Sequence, residues 1–225
     1  MKIGSEDGAG SRLLKGAFLG VALIAAATPV QAQLTGIVNY AIPVGGEMPA
    51  THLVGEFGRG LNEDSGKMNA FAVAAGRTGI GGRGSAFVGA SMVDSDPDSE
   101  YSFGVVGAVG VTQPAAPTQI SVQAGVGYMS PVEDVTIWTV PVGVALMRAM
   151  PQGSGTFDYW VMPRVHMSRV AVSGFDSEMD TNFGASGGLG FTTASGFGFH
   201  AAIDWLSVDG GSPLTGGAGV HFVIP

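Results

Sequence analysis

The amino-acid sequence predicts an all-β fold: an up-and-down antiparallel transmembrane β-barrel of ten strands, with eight as the alternative count. Three observations carry this expectation: long segments of period-2 alternation, connections that alternate between acidic and acid-free, and strand faces split into an apolar row and a polar or small row. Composition points the same way. Only 12% of the 225 residues are charged, 45% are hydrophobic and 38 are glycine, so turn formers abound and strong helix formers are few.

The chain opens with Lys2, Arg12 and Lys15 ahead of the apolar run AFLGVALIAAA at 17–27, followed by Val30, Gln31 and Ala32. Basic residues, a short apolar run and small residues in that order read as a secretory signal peptide over 1–32, cleaved before Gln33. The run is short for a helix crossing a bilayer, which needs roughly 20 residues. Residues 33–50, QLTGIVNYAIPVGGEMPA, are expected to form an N-terminal lead, a further strand or an inward-folded plug ahead of a barrel over 51–225.

Alternation bounded by turn residues marks strands over 51–61, 69–79, 83–93, 101–112, 118–128, 135–148, 156–172, 181–192, 196–207 and 214–224. These exceed the roughly 5–6 residues of an ordinary strand and match the roughly 9–11 of a tilted bilayer crossing. The fifth sets Ile120, Val122, Ala124, Val126 and Tyr128 against Gln119, Ser121, Gln123, Gly125 and Gly127. In the seventh, Phe157, Tyr159, Val161, Val165 and Met167 oppose Asp158, Trp160, Met162, Arg164, His166 and Ser168. The eighth sets Phe183, Ala185, Leu189 and Phe191 against Asn182, Ser186 and glycines, and the ninth sets Phe197, Phe199, Ala201, Ile203 and Trp205 against a row with His200 and Asp204. A membrane barrel turns such apolar rows to lipid and the polar rows inward; a secreted soluble β-sandwich would bury them between sheets. Pro141 and Pro163 each delete a ladder donor, so a bulge or local break is expected at both.

The odd-numbered connections read NEDSGKM, DSDPDSE, MSPVED, SGFDSEMD and VDGGSP; they hold 12 of the 16 acidic residues from Gln33 onward. The even-numbered ones, around Ile80, Pro114, Pro151 and Ala194, hold none. Successive hairpins of an up-and-down barrel point to opposite ends, which produces this segregation. A net charge of −8 without a basic stripe argues against a nucleic-acid partner, and the lack of cysteine excludes disulfides and thiolate sites.

The pattern resembles small bacterial outer-membrane β-barrel proteins. The C-terminal GAGVHFVIP is similar to the assembly signal of such barrels, with Phe222 and Ile224 on the lipid-facing row, and departs from it at Gly217, Ile224 and Pro225. The resemblance implies location in the outer membrane as a monomer, contact with its lipid and lipopolysaccharide, and insertion by the barrel assembly machinery. A structural or surface-interaction role is expected, with a narrow passive pore as the alternative because the inward glycines leave space. No cofactor is implied.

If the first and last strands close the barrel, Glu56, His200, Asp204 and His221 share the lumen with Arg164 and His166. Charges confined there must pair or meet water, so a luminal polar network is the leading expectation. A metal site from His52, His200 and His221 is the sharper alternative, and an Asp204 and His166 pair activating water another, since some ten-stranded outer-membrane barrels are proteases. The chain lacks a second aspartate pair at that family's spacing, and the expectation is that it is not an enzyme. Asp94, Asp96, Asp98 and Glu100, at alternate positions of one acidic loop, form a possible cation-binding loop.

Overall fold

The computed structural model describes residues 49–66, 69–94, 99–113 and 116–225. The expected signal and nearly all of the 33–50 lead lie outside the described residues, as do Asp96 and Asp98. Ten antiparallel strands follow one another and close: β1 (Ala50–Gly60), β2 (Asn69–Ile80), β3 (Gly84–Asp94), β4 (Ser99–Gly110), β5 (Thr118–Met129), β6 (Val135–Gln152), β7 (Gly155–Val172), β8 (Glu178–Thr193), β9 (Phe197–Ser207) and β10 (Leu214–Ile224). The seam joins β1 to β10 from Thr51 opposite Ile224 to Gly60 opposite Thr215, leaving no free sheet edge.

Alternation decides which way each strand faces. In β9 Gly198, His200, Asp204 and Leu206 are buried while Phe197, Phe199, Ala201, Ile203 and Trp205 are exposed, and β4 and β5 repeat the pattern. The buried face is the lumen. The large apolar side chains, among them Leu53, Val73, Val105, Val161, Leu189 and Val220, are on the outside. Exposing so many to water would forfeit roughly 1.5–3 kcal/mol each, whereas lipid receives them without that cost.

Outward aromatics lie near both ends. At the end carrying the acidic connections, Phe57 packs tilted against Phe71 at 5.1 Å and Tyr128 against Trp138 at 4.9 Å between centroids. At the opposite end Phe191 meets Phe199 at 5.8 Å, with Phe197 and Phe222 paired across β9 and β10. These are the two interfacial girdles of a spanning barrel.

Two strands, β6 and β8, run four residues longer than the sequence pattern indicates. The expected connection around Pro151 shrinks to Gly153 and Ser154, because Met150, Pro151 and Gln152 continue β6 and pair with Phe157, Thr156 and Gly155. β8 likewise begins at Glu178, within the expected acidic connection. At the prolines the ladder lapses without a bulge: β5–β6 pairing skips from Ala124/Val142 to Gly127/Thr139 and β6–β7 pairing from Gly143/Arg164 to Leu146/Val161, with register unchanged on either side. The missing donors cost bonds but not alignment. The register shift lies elsewhere, between Thr78 and Ile80, where Gly79, Gly81 and Gly82 adopt the positive φ that lets the chain reverse there.

A clasp spans the seam at the acidic end. Asn62 caps a single 3-10 turn (Glu63–Ser65), donates to the Ser212 carbonyl at 2.8 Å and accepts from the Leu214 amide at 3.0 Å, while Asp64 accepts from the Ser212 amide at 2.8 Å. The β1–β2 and β9–β10 connections are thereby tied together over the closure.

Candidate functional site

The luminal side chains divide by strand. Along β2–β5 the lumen is mainly apolar with neutral polar insertions and the partly buried Glu100 at its acidic end: Phe87, Val106 and Ala108 pack with Val54 and Ala74, and Val93 and Met129 pack with Ala70. Ser91 and Ser102 share a hydrogen bond of 2.6 Å, and Gln123 donates to Ser121 at 3.3 Å.

Across β7–β10 and β1 the lumen carries charged and imidazole side chains beside an apolar cluster in which Trp160 packs with Ala145, Met147, Met162 and Ala202. Arg164 donates through both terminal nitrogens to the two carboxylate oxygens of Asp204, the Nη2 bond measuring 2.7 Å, with Asp204 fully buried. This bidentate geometry offsets the large cost of burying either charge alone. A second chain runs from Glu56 Oε1 to His200 Nε2 at 2.7 Å, from His200 Nδ1 to His221 Nδ1 at 3.3 Å and from His221 Nε2 to Thr192 Oγ1 at 2.8 Å. The two imidazole rings stack with centroids 5.6 Å apart. A cavity of about 20 Å³ beside Glu56 and His200 has room for about one water molecule.

Three of these contacts skip a strand, and each passes over a glycine. Arg164 on β7 reaches Asp204 on β9 over Gly184, Thr192 on β8 meets His221 on β10 over Gly198, and His200 on β9 meets Glu56 on β1 over Gly219. A Cβ on Gly219 would stand 2.7 Å from His200 Nε2, and one on Gly198 would fall into the His221 ring. Trp160 and Asp158 lie over Gly188 and Gly190 in the same way, each 2.9 Å from the position of such a Cβ. The expected free space at Gly184, Gly188, Gly190 and Gly198 is therefore taken up by side chains from neighbouring strands.

Glu56, Arg164, His200, Asp204 and His221 enter the network, whereas His166 does not. It is buried, and neither of its ring nitrogens has a partner among the described residues. Asp204 faces Arg164, as the luminal-network expectation has it, so the alternative Asp204 and His166 dyad is not assembled. Nor is the histidine trio: His52 bonds Thr78 at 3.2 Å and packs on Phe87, and the described residues hold no group of three metal-ligating side chains. Asp94 and Glu100 sit at adjoining ends of β3 and β4.

Asp158, Trp160 and Thr192 were not singled out from the sequence as site residues, although Asp158 and Trp160 lie on the inward row of β7. Asp158 Oδ2, Trp160 Nε1 and Ser186 Oγ join His166 as buried polar atoms without a protein partner among the described residues. Such groups, with Thr139 Oγ1 on β6, call for ordered water.

No family model matches the chain, and no curated protein matches it. Among solved structures it is similar to the N-terminal β-barrel domain of OprF from Pseudomonas aeruginosa, at 10% identity and a TM-score of 0.38, over 78% of this chain and 97% of that one. The translocator domain of the autotransporter NalP from Neisseria meningitidis matches at 12% identity and a TM-score of 0.46, over 95% and 97%. The β domain of the Bordetella autotransporter BrkA matches at 13% identity and a TM-score of 0.46, over 80% and 99%.

The chain's own geometry classifies it. A single-chain barrel with no open edge, an apolar exterior and outward aromatics near both ends has the architecture of a membrane-spanning β-barrel.

Proposed function

We propose that this protein is a monomeric, non-catalytic scaffold of the outer membrane that presents an acidic outer face and conducts no solute in its resting state. One observation carries the reading: the lumen is bridged from β7 to β9 by Arg164 and Asp204 and from β8 to β1 by Thr192, His221, His200 and Glu56. A barrel of about eight strands is just filled by side chains, and in this slightly wider one the bridges over glycine take up the extra width. Closure of β1 on β10 within one chain supports the monomer. Glu63, Asp64, Asp134, Asp176 and Asp209 at one end supply the face that would meet cationic groups, or divalent ions shared with lipopolysaccharide.

The narrow pore is the second reading, favoured by the unpartnered polar atoms of Asp158, Trp160, His166 and Ser186 on β7 and β8. Conductance in planar bilayers decides between them. The intact protein is expected to be silent, and Arg164→Ala/Asp204→Ala to open a measurable channel. Steady unitary currents from the unaltered barrel would establish the pore instead.

A further inference from the structure

The outer wall is not uniform. On β9 and β10 the end opposite the acidic connections carries the girdle aromatics Phe197 and Phe222. At the same end, the wall from β2 to β6 carries Arg77, Arg83 and Arg148, all exposed and without an ion-pair partner among the described residues. Arg77 heads an outward row that continues through Ala86, Gly107 and Ala124 on successive strands. These small residues leave the wall hollow: a concavity of about 460 Å³ is lined by Gly107, Ala124, Val109 and Val122, and begins next to Arg83 at Gly84. Directly beyond it a second of about 840 Å³ includes Val105 and Val126 and ends under Phe103, Tyr128 and Trp138. Register places Val105 and Val126 two residues past Gly107 and Ala124, so the two hollows form one track. From Val109 to Phe103 it extends roughly 20 Å at about 3.3 Å per residue.

We propose that this track is a binding site for an anionic glycerophospholipid of the periplasmic leaflet, with its phosphate at Arg77 and Arg83 and an acyl chain along Gly107, Ala124 and Val126 towards Trp138. Charge complementarity selects this occupant. A wall meant for bulk lipid needs no hollow, and short turns face the periplasm in barrels of this type, so the arginines meet the phospholipid leaflet rather than the outer one. A second copy of the chain would bring its own Arg77 and Arg83 to the same place, setting like charges together.

The inference rests on the membrane placement above, and the test separates the two. The full-length protein carrying Trp205→Phe is reconstituted in phosphatidylcholine vesicles containing a small fixed fraction of tail-brominated phosphatidylglycerol or, in parallel, tail-brominated phosphatidylcholine. Trp160 is enclosed in the lumen, so quenching reports Trp138. The brominated phosphatidylglycerol is expected to be enriched roughly fivefold for each arginine engaged. Arg77→Ala/Arg83→Ala should abolish that preference, and Gly107→Leu should weaken quenching by filling the floor. An added Cβ at Gly107 meets only the Ser85 carbonyl at 3.6 Å, an ordinary contact, so the fold tolerates the change.

Equal quenching by the two lipids, or a preference that survives loss of both arginines, overturns the proposal and leaves the membrane barrel standing. Protection of Trp138 from both lipids together with a dimer in sedimentation assigns the wall to a second copy and also overturns it. No quenching of Trp138 in a monomer overturns the membrane placement as well.

Discussion

The two halves of the lumen face the same geometric requirement and meet it differently. Along β2–β5, Phe87, Val93, Val106 and Met129 fill the interior by packing, and the neutral Ser91 and Ser102 satisfy one another. Along β7–β10 and β1 the filling is largely hydrogen-bonded: Arg164, Asp204, Glu56 and His200 span the space and glycines give them room to lie flat. The apolar half tolerates the loss of a contact locally, because apolar neighbours remain. In the charged half each member leaves a buried ion or donor behind when its partner goes.

The largest effect is expected where that asymmetry is sharpest. Arg164→Ala strands the Asp204 carboxylate and should destabilise the barrel by about 3–5 kcal/mol, whereas the paired replacement Arg164→Met/Asp204→Leu should lie near neutrality. Urea unfolding in lipid vesicles, followed by the heat-modifiable gel shift, measures both. A single variant no worse than the pair would erase the distinction between the halves.

Overfilling comes next. Gly198→Leu drives a side chain into the His221 ring and should cost about 1–3 kcal/mol, while Ala74→Val, in the apolar half, should cost less. Equal losses at the two positions in the same unfolding assay would mean that the glycine is not specifically matched to the histidine. The smallest effect belongs to Ser91→Ala/Ser102→Ala, which removes both ends of a neutral hydrogen bond. A change within about 1 kcal/mol is expected there. A loss comparable to Arg164→Ala would show the neutral half to be as tightly coupled as the charged one.

Much of this architecture could be read from the chain. Period-2 rows gave the inside and outside of the fifth, seventh, eighth and ninth strands, and the segregation of acids gave the two ends, because both depend only on local order along the sequence. The inward set Glu56, Arg164, His200, Asp204 and His221 followed from the same rule. The partners did not follow. Arg164 meets Asp204 rather than leaving it to His166, and His200 meets Glu56 rather than joining His52 around a metal, because heights across the lumen depend on shear. The lengths of β6 and β8 were also hidden, since Met150 to Gln152 look like a turn until their pairing with Gly155 to Phe157 is seen.

The glycines beneath the luminal bridges also bear on how the barrel chooses its alignment. Facing alone permits any slip of two residues between neighbouring strands, since such a slip keeps every side chain on its proper side. A two-residue slip of β9 against β10 that brought His221 opposite His200 would place two rings where one ring and one glycine now fit. Bulk set against its absence thus works as a key between strands, and it picks one shear from several that hydrophobicity alone would accept.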